Sequence, residues 1–492
     1  MDTLLSEQTI ASVAKLGIEV PLYNRNQLRP KMVHIGLGHF HRAHLCSYVH
    51  KLLQQGKTDW GIQEVDILPS RENFKQQLKD QNYLYSLTEK DSSGNNKTKI
   101  IGCILGYTNG SEEPNHVLDL LARKETDLVT LTITEKGYCY DDGTHSLQYL
   151  NEHIQHDLHT DSYPKTAIGF IAKALYLRKQ SGIHGPTIIS CDNIPKNGAV
   201  LKTCILQFCA IKYPDIVSYV EHDVAFPCTM VDRITPNSTT EDIERVSKVL
   251  GVRDNLAVVC EDYIQWVIED HLVTRIPSFS VVGATVTKNV EPFELMKIRL
   301  LNGSHSALAY LSYLMGYRYV DAAVQDADVH NFIRNHYMLE VEQTLEAIPG
   351  IDFSAYMDQL LKRFSNSNIR DTILRLAEDG STKIQNFVIP PLLHTLKEHK
   401  RNHAILFFLA SWIRFLAGVD EQGNPIPLVD KTPETLRLAA KNALQSDYTS
   451  VLEVLGLDGL ALQTKVEVTN TIDTYLKLIN TFGVREALSS RN

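Results

Sequence analysis

The sequence predicts an α/β protein in two domains: a doubly wound, mostly parallel sheet over residues 1–290 and a mainly α-helical domain over residues 291–492. Two observations carry this. Up to about residue 290, short β-branched runs alternate with helical periods, as they do where crossover helices join parallel strands. Beyond that point strand runs give way to successive amphipathic periods. The length of 492 residues supports the division, because a single hydrophobic core stops growing at roughly 250–300 residues.

The elements follow in order. Met32–Gly36 is the first strand and Arg42–Leu53 the first helix. Gln63–Leu68, Leu128–Thr134 and Thr187–Cys191 are further strands, and Asn255–Cys260 and Phe279–Val286 read as later strands or a β-rich appendage. In the second domain Glu294–Leu314 is a long amphipathic helix. Val320–Leu345, Tyr356–Phe364, Asp371–Leu376, Pro391–His399, Ala404–Leu416, Thr432–Gln445 and Thr471–Leu478 also carry helical patterns.

Composition removes several function classes. The net charge is −9 and no long Lys/Arg run occurs, so the phosphate neutralisation that nucleic-acid binding needs has no source. The first residues, Met1-Asp2-Thr3-Leu4-Leu5-Ser6-Glu7, lack the apolar core of a secretory signal. The longest apolar stretch, Ala404–Phe415, is broken by Arg414 and too short to span a bilayer. No membrane partner and a cytoplasmic location are therefore expected. The eight cysteines form no C-x-x-C pair, which argues against a structural zinc site or a zinc-dependent alcohol dehydrogenase. They read as buried thiols, although Cys191 and Cys228 stand beside candidate site residues.

The first strand runs into Gly36-Leu37-Gly38-His39-Phe40-His41-Arg42-Ala43-His44. Two glycines at this spacing, between a strand and a helix, match the start of a dinucleotide-binding fingerprint: one for the tight turn, one for close approach of backbone to a pyrophosphate. His41 replaces the third glycine. The second strand ends in Val65-Asp66-Ile67-Leu68-Pro69-Ser70-Arg71-Glu72. Ser70 and Arg71 could hold the 2′-phosphate of NADP, whereas Asp66 or Glu72 could serve the ribose of NAD.

Chemistry concentrates in Glu294-Leu295-Met296-Lys297-Ile298-Arg299-Leu300-Leu301-Asn302-Gly303-Ser304-His305. On a regular helix Lys297, Asn302 and His305 fall within an arc of about 140° at 3.6 residues per turn. Polar groups along one side of an otherwise apolar helix are costly to bury unless used or paired. A desolvated lysine can take an alcohol proton, an asparagine amide can donate to a developing alkoxide, and a histidine can hold a neighbouring hydroxyl. Arg299 on the same helix holds its proton too firmly to be a base. Cys191-Asp192-Asn193-Ile194-Pro195-Lys196-Asn197-Gly198 follows a strand at the carboxyl edge of the sheet, where such folds bind ligands. Phe226–Pro236, with Asp232, and Arg375–Lys383 complete the unusual polar segments. Turn chemistry and helix capping are the plainer readings of these segments.

Together, GLGHFHRAH, TITEKGY, CDNIPKNG, FPCTMVDRITP, EDYIQWVIED, KIRLLNGSH and RLAEDGSTK resemble the polyol-specific long-chain dehydrogenase/reductase family, the mannitol dehydrogenase family, along nearly the whole chain. The resemblance implies an N-terminal Rossmann domain, a helical C-terminal domain and a metal-free active site between them. It implies Lys297 as general acid/base and Asn193 with Asn302 as the oxyanion-stabilising pair. His305 and Asp232 would orient substrate, and Arg375 and Lys383 would contact its hydroxyls or acid group. Gly36, Gly38 and Phe40 would form the cofactor turn, with NAD as cofactor and NADP left open by Ser70-Arg71. The implied substrate is a small polyol or its ketose, mannitol with fructose foremost, and fructuronate or an arabinitol or sorbitol substrate as alternatives. A regulator that had lost catalysis would have shed Lys297 or Asn302, and both are present. Oligomeric state is open, a monomer being compatible with the sequence.

Overall fold

In the computed structural model, which describes residues 3–69 and 72–490, the chain divides into two units. One comprises Met1–Asp91 and Asn95–Glu291, the other Ser92–Gly94 and Pro292–Asn492.

The N-terminal unit is built on five parallel strands: β1 (Arg29–Ile35), β2 (Trp60–Asp66), β3 (Ile104–Asn109), β4 (Leu128–Leu131) and β5 (Thr187–Ser190). Their order across the sheet is β3-β2-β1-β4-β5, all neighbours parallel. The order reverses between β1 and β4, so a crevice opens beyond their carboxyl ends. Strand periodicity divides the side chains between two cores. Val33, Ile35, Val129, Leu131 and Ile188 join helices Pro114–Ala122, Ala167–Gln180 and Asn197–Lys212 on one face. Met32, Leu128 and Ile189 join helix Leu45–Gln54 and Trp266 on the other. A strand covered on both faces reads as a continuous apolar run, which is why Met32–Ile35 and Leu128–Leu131 stand out in the sequence.

Several expected boundaries move. The first helix is two, His39–Ala43 and Leu45–Gln54, separated at His44, whose φ of −98° and ψ of −82° leave the helical region. The strand expected to run to Thr134 ends at Leu131, and Thr134–Gly137 is a helical turn. Asn255–Cys260 is replaced by Val258–Glu261, which pairs with Tyr85–Lys90 in a second sheet completed by Asn96–Ile101. Phe279–Val286 divides into a 3-10 turn, Phe279–Val282, and a short strand, Thr285–Thr287. The latter adds to Gln265–Glu269 and Thr229–Asp232 in a third sheet.

The C-terminal unit is helical from Glu291–Met296 to Leu462–Ser489. His403–Leu416 is its core helix, buried from Ala404 to Ile413, and packs against Gly303–Leu314 and the last helix. Among the described residues no helix is long and apolar enough to cross a membrane. The expected continuous helix Glu294–Leu314 is interrupted: Lys297–Asn302 is a π turn, followed by α-helix from Gly303. Val320–Leu345 is likewise broken into short helices around a second π turn, Phe332–Tyr337.

Candidate active site

In the N-terminal unit the Gly36–Phe40, Thr132–Tyr138 and Cys191–Gly198 motifs gather at the carboxyl edge of the parallel sheet, because each follows the end of one of its strands, while Asp232 ends a strand of the third sheet. Gly36 leaves β1 at φ +107°, and a Cβ there would lie 2.1 Å from the Thr132 carbonyl oxygen after β4. Only glycine fits. Gly38 differs: a Cβ there would meet nothing within 4 Å. Packing does not demand that glycine, so its bare backbone fits a ligand approaching from outside, the second requirement of a pyrophosphate turn. Asp66, at the end of β2, does not present a free carboxylate to a ribose. Its oxygens accept from the Leu37 N–H (2.9 Å) and the Tyr107 hydroxyl (2.9 Å), so it braces the glycine turn. Ser70 and Arg71 lie outside the described residues.

The missing third glycine has a physical account. His41 projects into the space between helix and sheet, is fully buried, and stacks on His34 of β1 with ring centroids 3.3 Å apart. Its Nε2 lies 2.8 Å from Glu64 Oε1 on β2. Burial opposes charge on His41, but the Cys46 sulfur and the Glu64 carboxylate outweigh it and raise its pKa to about 10. Burial, then the neighbouring His41, lowers that of His34. Three ligand-type atoms of His34, His41 and Glu64 lie within 4.8 Å of one another. Both ring nitrogens of His34 already bond Thr130 Oγ1 (2.7 Å), Thr132 Oγ1 (2.9 Å) and the Gly36 carbonyl (3.0 Å). The cluster thus supports the glycine turn from beneath. Phe40 is half-buried and stacks on His44 at 4.9 Å.

The next three motifs are knotted together by two residues that the sequence reading left without a role. Asp192 accepts from the Ile133 and Thr134 N–H groups (2.9 Å each) and the Tyr138 hydroxyl (2.7 Å). Burial raises its pKa against the pull of these donors. Asn197, fully buried, places its Nδ2 3.0 Å from the Asp192 and Thr229 carbonyls, and its Oδ1 accepts from the Thr229 N–H at 2.9 Å. A Cβ at Gly198 would lie 2.5 Å from the Phe226 carbonyl oxygen, so the loop and the Phe226–Pro236 segment touch backbone to backbone. Between these anchors Asn193 is exposed on the loop, and Asp232 ends its strand buried. Arg233 fixes that strand end, donating to the Ala43 carbonyl (2.7 Å) and Glu89 (2.7 Å). Asp and Asn inside a Gly/Pro-rich turn were the available signal for Asp192 and Asn197. Cys191 is buried and its thiol is pushed well up by burial, the opposite of what a reactive thiolate needs; Cys228 is half-buried.

In the C-terminal unit Lys297 is 7% exposed, while Asn302 and His305 are half-buried. The π turn changes the geometry expected of a regular helix. With i→i+5 closure an ideal turn takes roughly 4.4 residues, which would put Asn302 roughly 50° from Lys297 rather than 140° and narrow the arc including His305 to roughly 60°. The sequence contains the three residues but not the turn that brings them to one side. Glu294, three residues before Lys297, is also buried. His305 stacks on Phe364 with centroids 4.2 Å apart, which fixes its ring plane. Arg375 forms a two-pronged ion pair with Asp371, which lies just before the N-cap of its helix. That partner raises its pKa further. Lys383 donates to the Leu376 carbonyl (3.1 Å), and burial, then Arg375, lower its pKa.

Comparison with known proteins covers both units. Residues 30–280 match the mannitol dehydrogenase Rossmann domain and residues 289–480 the mannitol dehydrogenase C-terminal domain. The chain is 39% identical over 450 residues to the D-mannonate oxidoreductase of Escherichia coli K12, covering 91% of this chain and 92% of that one. The structure of Pseudomonas fluorescens mannitol 2-dehydrogenase, a ternary complex with NAD and D-mannitol, superposes with a TM-score of 0.87 at 34% identity over 99% of each chain. A substrate-free D-sorbitol dehydrogenase superposes with a TM-score of 0.90 at 30% identity, covering 99% of this chain and 100% of that one. With both domain types matched in order and similarity running the length of the molecule, the chain belongs to the mannitol dehydrogenase family of CH–OH oxidoreductases.

Proposed function

We propose that this enzyme interconverts a secondary alcohol of a six-carbon polyol with its ketone, mannitol with fructose as the working pair, using NAD. The observation that supports the chemistry is the π turn at Lys297–Asn302, whose pitch would put Lys297, Asn302 and His305 on one side of the interrupted helix. In this reading residues 1–290 bind the dinucleotide and residues 291–492 supply the acid/base. NAD, when bound, accepts the hydride from the substrate carbon. Gly36 and Gly38, with Phe40, would hold its pyrophosphate on a bare backbone turn.

Lys297 takes the hydroxyl proton as a general base; an amine shielded from water gives up its own proton more readily than an exposed one. Asn302, with Asn193 from the sheet-edge loop, donates amide hydrogen bonds to the oxygen as it gains alkoxide character. His305, its ring held by Phe364, and Asp232 bind neighbouring hydroxyls. In the reverse direction the Lys297 ammonium returns the proton to the ketose oxygen.

The Arg375–Asp371 ion pair supports a neutral polyol, because the cation that a carboxylate would seek already has a partner. A second reading has its own support: the 39% identity to a D-mannonate oxidoreductase favours a sugar acid, with Lys383 or a released Arg375 meeting the carboxylate. An absorbance assay at 340 nm, offering fructose and fructuronate with NADH and then NADPH, decides. Fast fructose reduction with NADH is expected; activity on fructuronate alone would transfer the same residues to the sugar-acid reaction and overturn the mannitol assignment.

A further inference from the structure

The residue that closes the first π turn of the C-terminal unit, Gly303, lies against the last residue of the second, Tyr337. The first is closed by the Gly303 N–H donating to the Ile298 carbonyl, five residues back. The second is closed in the same way by the Met338 N–H on the Ile333 carbonyl. Tyr337, the last residue of the second turn, is fully buried and packs edge-on against Phe408 with centroids 6.0 Å apart. Its hydroxyl has no hydrogen-bond partner among the described residues. A Cβ built on Gly303 would lie 2.8 Å from that hydroxyl oxygen. Gly303 itself has ordinary helical angles, φ −61° and ψ −43°. Glycine is therefore not required there by backbone conformation, and inside a helix it is less favourable than alanine. Room for the Tyr337 hydroxyl is the remaining reason for it.

We propose that the space left by the absent side chain at Gly303, occupied by the Tyr337 hydroxyl, is a positioning device that lets the Lys297–Asn302 π turn form and thereby keeps Lys297, Asn302 and His305 aligned; it rests on the catalytic reading given above. A π turn is one residue inserted into an α-helix. If the segment relaxes by that residue, Asn302 swings away from Lys297 by roughly 90°. A methyl group at position 303 would press on a hydroxyl whose ring is enclosed. The strained i→i+5 turn is the softer of the two and would shift.

The test is a pair of substitutions and their combination: Gly303→Ala, Tyr337→Phe and the double variant. Each is measured for kcat and KM across pH, for NADH binding by fluorescence and for thermal midpoint. Gly303→Ala should lower kcat about 100-fold and distort the pH profile, with NADH binding kept, since displacements near 1 Å carry losses of that size. Tyr337→Phe, which deletes an unbonded hydroxyl, should stay within about threefold of the parent. The double variant should recover at least about tenfold over Gly303→Ala, because the obstructing oxygen is gone. Full activity in Gly303→Ala, or a double variant as slow as it, would overturn the proposal. If Gly303→Ala alone fails to fold, a double variant that folds and turns over supports the device, and one that folds without turnover refutes it. Lys297→Ala, run alongside, separates the two ideas: normal turnover there sinks the lysine assignment, whereas the contact stands or falls on the rescue.

Discussion

The two units present their candidate groups by opposite means. In the N-terminal unit they stand on loops at the edge of a parallel sheet, and the loops are made rigid by side chains that bond backbone: Asp66 holds the glycine turn, Asp192 holds residues 133 and 134, and Asn197 holds residues 190, 192 and 229. In the C-terminal unit Lys297, Asn302 and His305 stand on one interrupted helix, and the π turn within it narrows the arc between them. The difference teaches where precision comes from. A loop needs a donor or acceptor at each bend, so its supporting residues are polar and distinct from its functional ones. A helix supplies its own backbone bonds, and only its pitch needs adjusting.

This contrast can be broken or sharpened by substitution. The largest effect is expected where the proposed function puts an amide on the reacting oxygen: Asn302→Ala and Asn193→Ala should each lower kcat about 10²–10³-fold while leaving the thermal midpoint unchanged. Stopped-flow or steady-state turnover beside calorimetry checks both. Equal losses in the two variants would say that loop and helix are held with equal precision; a smaller loss for Asn193 would say that the loop yields. Next in size is Asn197→Ala. It strips partners from buried carbonyls and an N–H and should destabilise the protein by about 1–3 kcal/mol, seen as a lower thermal midpoint, with turnover falling as the loop loosens. An unchanged midpoint would remove Asn197 from the account of the loop. The smallest structural effect belongs to Gly38→Ala. Its Cβ meets no protein atom within 4 Å, so stability should hold within about 0.5 kcal/mol, while NADH affinity, read by fluorescence titration, drops. Retained affinity would mean that no ligand approaches this backbone.

The same contrast explains what was legible in the sequence. The sheet-edge loops were readable as Gly-, Asn-, Asp- and Pro-rich segments after apolar runs, and four of the five central strands were visible as those runs. The exception is β3. Gly106, Thr108 and Asn109 interrupt its apolar character, and a Cβ at Gly106 would press on the end of the Gln63 side chain on β2, 2.7 Å away. The break at His44 was hidden as well, since His44 and its neighbours carry no helix-breaking residue. On the helix Lys297, Asn302 and His305 could be named, but their alignment could not. Nothing in Lys-Ile-Arg-Leu-Leu-Asn marks a π turn, and Gly303 is tied to it only through Tyr337, which lies 34 positions away (337 − 303). Long-range packing of that kind leaves no periodic trace.

The central claim is that Lys297 exchanges the substrate proton, and its most direct test is the turnover of Lys297→Ala measured across pH beside a titration of NADH binding. The account predicts that kcat falls by about 10³-fold or more, that the limb of the pH profile belonging to the lysine disappears, and that NADH binds as tightly as to the parent enzyme. Near-normal turnover with an unaltered pH profile would contradict it and would move the acid/base role to another group.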